Sequence, residues 1–357
     1  MTIKIKDVAQ HVGVSSATVS RVISNHAGVR PDVRTRVLAA MEELGYQPNR
    51  VARSLRVQRS HIIGLIISDI QNPFFIALVR AVEDMAYQHH FAVFLCNTDE
   101  DVEKEKLYID LMRAERVAGV IISPSLEQDD PCKKLIETQV PVVVIDRKIL
   151  DVAVDSVTVD NVQGAYTLID HLIKDGHQRI GAVLGISTTT TGRERMTGYR
   201  QALAAHNLPF LPDIVRIGMP KDHVGYALTK ELLALPVPPT ALFTGNNLLT
   251  VGALRAIQEH ELRIPDDIAL VAFDGIAWMS IFQPELTRME QPTYAIGQTA
   301  ASLLLARIAD KSHPVQQIIL QPSLIVRQSC AHHSKKSSLA TASHALSDPL
   351  LHASADI

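Results

Sequence analysis

The chain has 357 residues, of which 46% are hydrophobic and 20% are charged. This balance is typical of a globular protein of two or three domains, and it excludes a disulfide-stapled peptide, a collagen-like repeat and a wholly disordered chain. The formal charge of −3 hides a division, because residues 1–60 carry a net charge of +6 and the remainder carries −9. A small basic head on an acidic body indicates a nucleic-acid-binding module joined to a separate globular unit.

The amino terminus has no apolar signal-peptide core, and the longest apolar stretches have the length of strands. We therefore expect a cytoplasmic protein that has no contact with a membrane. Cys96, Cys132 and Cys330 are far apart and show no metal-type spacing, and the adjacent histidine pairs do not have ligand spacing either. The expectation is that the thiols are reduced and that the protein holds no metal and no other cofactor.

The basic head begins with two short helical patterns separated by a turn at Gly13. Val8 and Val12 mark the inner face of the first pattern, and Ser15 can cap the second. Two such helices form a helix-turn-helix, in which the start of the second helix meets base edges in the major groove. Its predicted outer face holds Ser16, Ala17, Ser20 and Arg21. Among these side chains, Arg21 can bind a guanine through two hydrogen bonds.

A third helix is predicted from Pro31 to Gly45, where hydrophobic residues recur with helical spacing. After Pro48, the sequence NRVARSLR predicts a short hinge helix that folds only against a twin copy or against DNA. Its expected DNA contacts are Asn49, Arg50, Ala52 and Leu55. Leu55 would insert between base steps from the minor groove.

The run over residues 5–56, IKDVAQHVGVSSATVSRVISNHAGVRPDVRTRVLAAMEELGYQPNRVARSLR, resembles the head and hinge of the lactose-repressor family. The helix-turn-helix, the LGYxPN connector and the hinge follow one another in unbroken order. The resemblance implies that Ser16 and Ala17 occupy base-reading positions. Because both side chains are short, recognition is expected to depend on Thr18, Arg21 and the deformability of the DNA.

Beyond residue 61, short apolar strands alternate with amphipathic helices, which predicts parallel sheets built from right-handed crossover units. The predicted strands are 62–68, 92–96, 119–122 and 142–145 in a first series, and 157–159, 180–184, 214–217, 241–244 and 268–272 in a second. The predicted helices are 74–88, 102–113 and 131–138 in the first series, and 161–175, 193–206, 224–235, 248–260 and 294–309 in the second. The two series indicate two similar lobes in tandem.

Ligands of open α/β sheets bind beyond the carboxyl ends of the strands. At those positions the sequence offers aromatic rings, planar amides, carboxylates and guanidinium groups, which together are suited to binding a sugar. The candidate effector-binding residues are Asn72, Phe74, Phe75, Asp146, Arg147, Arg193, Arg195, Asn246, Asp274 and Gln291.

Residues 61–330 resemble the periplasmic sugar-binding fold shared by the lactose-repressor family. All of the candidate positions except Arg193, a neighbour of Arg195, match the contact pattern of the ribose-binding branch. The chain has Asn246-Asn247 where family members commonly have Asn-Asp, and it has an unusual polar run over 188–191. These departures leave the identity of the sugar open.

The predicted fold is α/β, with two-lobed parallel sheets like those of periplasmic binding proteins and an N-terminal all-α helix-turn-helix domain. The expected domains are a DNA-binding domain at 1–47, a hinge at 48–60, an effector-binding and dimerisation domain at 61–330, and a disordered tail at 331–357. We expect a repressor that binds palindromic operator DNA as a homodimer. Closure of the lobes on a small sugar or sugar-derived effector would shift the population of DNA-binding states.

Phosphate-binding loops and nucleophile elbows do not occur in the sequence, so an enzyme is not expected. A purine-responsive regulator of the same family is the main alternative. A plain sugar-binding protein would account for the body but not for the head. The sequence leaves open whether the effector releases or promotes DNA binding, and whether dimers pair into tetramers.

Overall fold

A computed structural model of the chain describes residues 3–23, 26, 28–46, 60–128, 131–275 and 283–330. The chain divides into a head that precedes Ile62 and a body that holds nearly all later residues. Several positions of interest lie outside the described residues: the hinge positions Asn49, Arg50, Ala52 and Leu55, and the tail 331–357. Among the residues that are described, no helix is long and apolar enough to cross a membrane.

The head is a bundle of three helices, as predicted. They are α1 (Ile5–Val12), α2 (Ser16–Ile23) and α3 (Pro31–Glu43). Gly13 ends α1 with a φ of +72°, a left-handed conformation that glycine adopts without steric cost. Ser15 caps α2, because its Oγ accepts a hydrogen bond from the Thr18 amide at 3.1 Å. The bundle closes on a small core of Val8, Ala9, Val12, Val19, Val22, Val37 and Ala40.

The body alternates strands and helices along most of its length. The strands are β1 (Ile62–Ile67), β2 (Ala92–Asn97), β3 (Gly119–Ile122), β4 (Val142–Ile145), β5 (Asp155–Val159), β6 (Ile180–Gly185), β7 (Val215–Gly218), β8 (Ala241–Thr244), β9 (Ala269–Phe273), β10 (Thr287–Glu290), β11 (Gln317–Leu320) and β12 (Ser323–Ile325). The helices are α4 (Pro73–Gln88), α5 (Val102–Ala114), α6 (Cys132–Glu137), α7 (Asn161–Lys174), α8 (Thr190–Ala205), α9 (Asp222–Leu233), α10 (Asn247–Glu259) and α11 (Thr293–Ala309).

Two six-stranded sheets organise the body into two lobes. The strand order is β11-β5-β4-β3-β1-β2 in the first sheet and β12-β10-β9-β8-β6-β7 in the second. The two orders correspond strand for strand, so the lobes share one topology. The central strands are apolar and buried on both faces, which is how parallel sheets covered by helices read in sequence. β12, which pairs antiparallel with β10, is a short strand at the end of the second sheet.

The chain passes between the lobes three times: after β5, after β10 and after β11. Helix α11 therefore packs on the first lobe, where Ile296, Ala300 and Leu304 join a core that contains Leu65 and Ile121. The prediction that this helix belongs to the second series is wrong, because consecutive elements of the chain need not stay in one lobe. Three crossover segments therefore connect the two lobes.

Candidate functional site

The carboxyl ends of the two sheets face a cleft of about 540 Å³, a volume that includes its solvent-open mouth. The structure brings nearly all of the predicted effector residues onto its lining, namely Asn72, Phe74, Phe75, Asp146, Arg147, Arg195, Asn246, Asp274 and Gln291.

Arg193 is the exception, since it does not lie on the cleft lining. Its Nε and Nη2 donate to the two carboxylate oxygens of Glu127, at 3.0 and 2.6 Å. Residues two apart on a helix point about 200° from each other. Arg195 on α8 therefore faces the cleft, whereas Arg193 points elsewhere, and its placement in the effector site is corrected.

Glu100 lines the cleft but was not among the predicted residues. Its carboxylate accepts two parallel hydrogen bonds from Arg147, with Nη1 at 2.8 Å and Nη2 at 2.6 Å. Arg147 Nη1 also donates to the Pro124 carbonyl at 3.0 Å. The guanidinium of Arg147 is thus neutralised and fixed within the protein. Glu100 closely follows β2, so inspection of every strand end would have found it.

Asp146 and Asp274 occupy equivalent places in the two lobes, directly after β4 and β9. Both have left-handed backbones, with φ of +65° and +71°, which aspartate tolerates better than most residues. Burial raises the pKa of Asp146 to about 6, although the positive charges of Arg147 and Arg195 oppose the shift. Burial likewise raises the pKa of Asp274, against the opposing effects of Arg195 and of a 2.7 Å hydrogen bond from Gln291.

Arg195 is held in one orientation by three contacts. Its Nε donates to Asn161 Oδ1 at 3.0 Å, its Nη1 donates to the Gly245 carbonyl at 2.5 Å, and its guanidinium carbon lies 3.8 Å from the centre of the Phe273 ring. Burial lowers the pKa of this guanidinium from its ordinary value, and the carboxylates of the cleft counteract that shift. The cleft therefore presents a positioned cation between Asp146 and Asp274.

An aromatic corner stands at the start of α4. Phe74 and Phe75 meet edge to face, with ring centres 5.0 Å apart and an interplanar angle of 84°. Asn72 caps the helix, because its Oδ1 accepts a hydrogen bond from the Phe74 amide at 2.9 Å. These two rings line the cleft beside the polar groups and offer an apolar surface for a ligand.

The lobes touch across the cleft. Asn247 Nδ2 donates to Asn72 Oδ1 at 2.8 Å, and Lys221 pairs with Asp69 at 2.6 Å and with Asp99. Burial alone would lower the pKa of Lys221, but its hydrogen bonds to the two aspartates outweigh this effect and raise the pKa. On another side of the cleft, Lys148 pairs with Glu194 at 2.8 Å and its amide donates to Thr190 at 2.9 Å. We refer to the arrangement in which these pairs join the lobes as closed.

The candidate DNA-reading residues of the head lie on α2. Ala17 and Arg21 are exposed, whereas Ser16 and Thr18 are half-buried. The Thr18 hydroxyl lies 2.9 Å from Ser15 Oγ, so it takes part in the cap of the helix. Helix α2 thereby presents small side chains at its start and one guanidinium, that of Arg21, in its last turn.

Both the head and the body match known protein families. Residues 60–328 match "Periplasmic binding proteins and sugar binding domain of LacI family", and residues 4–49 match "Bacterial regulatory proteins, lacI family". The HTH-type transcriptional repressor PurR of Aliivibrio salmonicida is 34% identical over 326 residues, which cover 91% of this chain and 98% of that protein.

Solved structures of transcriptional repressors are also similar to this chain. The Lac repressor dimer bound to operator and the anti-inducer ONPF is 30% identical, covers 92% of this chain and 99% of its own, and superposes with a TM-score of 0.82. A provisionally assigned ribose operon repressor from Burkholderia thailandensis is 33% identical, covers 75% of this chain and 99% of its own, and has a TM-score of 0.69. The chain therefore belongs to the lacI family of bacterial regulatory proteins and is a non-enzymatic, DNA-binding transcriptional repressor with a ligand-binding domain.

Proposed function

We propose that the effector of this repressor is a small neutral sugar, bound in the cleft between the lobes. The observation that carries the proposal is the charge arrangement of the lining, where Glu100 neutralises Arg147 and Arg195 lies among the carboxylates of Asp146 and Asp274. Carboxylates and a guanidinium are satisfied together by hydroxyl groups, which both donate and accept hydrogen bonds.

An anionic effector, such as a sugar phosphate, fits this lining poorly. With Arg147 already paired, Arg195 is the remaining guanidinium on the lining, and the two aspartates balance it. A phosphate would meet these carboxylates, and like charges in a buried site repel strongly. Phe74 and Phe75 add rings on which the C–H face of a sugar can pack.

A purine is the second candidate, because the PurR of Aliivibrio salmonicida and this chain are similar over almost their whole lengths. A planar base carries its polar atoms along its edge, in one plane, so it would leave charged groups above and below that plane without a partner. Each buried polar group without a partner costs about 1–3 kcal/mol. The provisionally assigned ribose operon repressor also supports the sugar over the purine.

The proposed mechanism is a population shift. The effector stabilises the closed arrangement of the lobes, and the shifted population alters the affinity of the heads for DNA. By analogy with the Lac repressor dimer bound to operator, we propose a homodimer on a palindromic operator, with one head on each half-site. Such a repressor would work in the cytoplasm, where its operator lies.

Isothermal titration calorimetry of the full chain against pentoses, hexoses, sugar acids and purines tests the proposal. We expect binding of a neutral sugar, and we expect Asp274→Ala and Arg195→Ala each to abolish it. Arg200→Ala is the matched control, because Arg200 lies on the same helix but stacks on Phe210 and is absent from the cleft lining. Tight binding of a purine with no binding of sugars would contradict the proposal that the effector is a sugar. Retained sugar affinity in both cleft variants would contradict the proposal that the effector binds in the cleft.

A further inference from the structure

Three potential metal ligands converge at one point of the second lobe, outside the effector cleft. They are His171 in the last turn of α7, Asp175 just after that helix, and Cys330 at the end of the described chain. Their ligand atoms all lie within 4.8 Å of one another. Cys330 is buried, whereas His171 and Asp175 are half-buried, so the point can be reached from solvent.

The geometry distinguishes this cluster from a catalytic relay. Cys330 Sγ lies 3.4 Å from His171 Nε2, and Asp175 Oδ2 lies 3.4 Å from the same nitrogen. In a cysteine-histidine-aspartate relay, the carboxylate binds Nδ1 while Nε2 faces the nucleophile. An imidazole nitrogen carries one proton or one lone pair, so it cannot serve two partners equally well. Two partners on one nitrogen are instead what a shared central ion would explain.

The distances and the chemistry both fit zinc. Zinc binds histidine nitrogen and carboxylate oxygen at about 2.0–2.2 Å and thiolate sulfur at about 2.3 Å. In a tetrahedral site those bond lengths put neighbouring ligand atoms about 3.4 to 3.6 Å apart, close to the two separations seen. We propose that His171, Asp175 and Cys330 form a Zn²⁺ site, with a fourth position that is open to water.

The sulfur is positioned from its other side as well. The Cys330 thiol donates to Thr287 Oγ1 at 3.1 Å, and this hydroxyl is itself fixed, since it accepts from the Arg327 amide at 2.8 Å and donates to the Arg327 carbonyl at 2.9 Å. Zinc binding would release the thiol proton, as metal binding to a cysteine does. A bound ion would fasten the C-terminal segment to α7 and would stabilise the second lobe.

The sequence contains only half of the signal for this site, because Cys330 is 159 residues from His171. That half is the spacing of His171 and Asp175, two potential metal ligands that are four residues apart. The expectation that the protein holds no metal considered only local spacing.

Cobalt titration of the reduced, metal-free full-length protein tests the site, because a thiolate bound to Co²⁺ gives a sulfur-to-metal charge-transfer band. We expect the wild type to show this band, Zn²⁺ to abolish it by displacement, and Zn²⁺ to raise the melting temperature. Cys330→Ser should lose the band and the zinc-dependent rise. Cys96→Ser, which removes another buried thiol, should keep both. Binding by the other histidines would not produce a sulfur band.

A second pair of variants keeps the test decisive if Cys330→Ser fails to fold. His171→Gln should weaken Co²⁺ binding at least tenfold. The control is His206→Ala, which should not weaken it. His206 is a suitable control because it also pairs with an aspartate of α7, at 2.7 Å from Asp170. Circular dichroism verifies that each variant is folded. A folded wild type without the sulfur band, or a band that persists in Cys330→Ser or is unaffected by His171→Gln, would overturn the proposal.

Discussion

The raised pKa of Asp146 predicts that effector binding depends on pH. Its pKa is raised to about 6 by burial, so the carboxylate is ionised above that pH and neutral below it. If the ionised carboxylate accepts hydrogen bonds from sugar hydroxyls, affinity should fall as the pH drops through about 6. The measurement is calorimetry of the neutral sugar over a pH series.

Asp146→Asn identifies the group responsible. The variant should bind more weakly than the wild type at neutral pH, and its affinity should change little across the same pH range. A wild-type profile that is already flat, or a variant profile that still falls near pH 6, would assign the titration to a group other than Asp146.

The hydrogen bond of Asn247 accounts for the presence of asparagine at this position, where the family commonly has the aspartate of an Asn-Asp pair. Asn72 Oδ1 is committed as an acceptor, since it caps α4 through the Phe74 amide, so its partner across the cleft must donate. Asn247 can donate from its amide, whereas an ionised aspartate could not. The carbonyl oxygen of Asn247 is buried and has no hydrogen-bond partner among the described residues.

Asn247→Asp should therefore weaken the closed arrangement. Loss of one hydrogen bond typically costs about 0.5–1.5 kcal/mol, and the same reduction is expected in the free energy of effector binding. Asn207→Asp makes the same change on the exposed surface of the second lobe and serves as the control. Equal or tighter sugar binding by Asn247→Asp would show that the cross-cleft hydrogen bond does not contribute.

Individual side chains of the cleft were predictable to the extent that they directly follow a recognisable strand. Asp146 and Asp274 come immediately after buried apolar runs, so the rule for strand ends located both. Glu100 was missed because it stands beyond a turn. Arg193 was misplaced because sequence proximity to Arg195 does not give the direction of a side chain on a helix.

Among the secondary-structure elements, α9 links the lobes through the residue that precedes it. Lys221 reaches Asp69 after β1 and Asp99 after β2, and the pairs cross the cleft. Lys221→Met should favour lobe opening and reduce effector affinity, with a larger radius of gyration in small-angle scattering of the ligand-free protein.

The control for this variant lies on the same helix. Lys230 pairs with Glu259 at 2.7 Å within the second lobe, so Lys230→Met removes an ion pair without affecting the cleft. It should leave both effector affinity and the scattering curve unchanged. Similar behaviour of the two variants would mean that the Lys221 pairs do not hold the lobes together.

Elements with strong patterns were predictable, and the last three strands, β10, β11 and β12, were not. Strands such as β3 and β4 are uninterrupted apolar runs, which arise because helices cover both faces. β11 and β12 are only partly buried, so their sequences lack a continuous apolar signal, and the prediction contained no strands beyond residue 272. The return of α11 to the first lobe depends on packing across more than 150 residues, which local periodicity does not encode.

At the scale of the whole molecule, effector binding and DNA binding are located in different units of the chain. The head has its own core, and the effector cleft lies wholly within the body. Any influence of one on the other must therefore be a coupling free energy between two sites. Such coupling is reciprocal by thermodynamic necessity.

Reciprocity makes a quantitative prediction about this repressor. An operator can be selected from random duplexes with the protein itself. If the sugar changes the affinity of the protein for that operator by some factor, the operator should change the affinity of the protein for the sugar by the same factor, typically about 5- to 150-fold. Calorimetry of the sugar with and without operator, and fluorescence anisotropy of the operator with and without sugar, supply the two factors. Arg21→Ala should lose about 1–3 kcal/mol of operator binding while sugar affinity without DNA stays unchanged, because Arg21 belongs to the head. Unequal factors in the wild type would exclude simple two-site linkage, and altered sugar affinity in DNA-free Arg21→Ala would contradict the separation of the two functions.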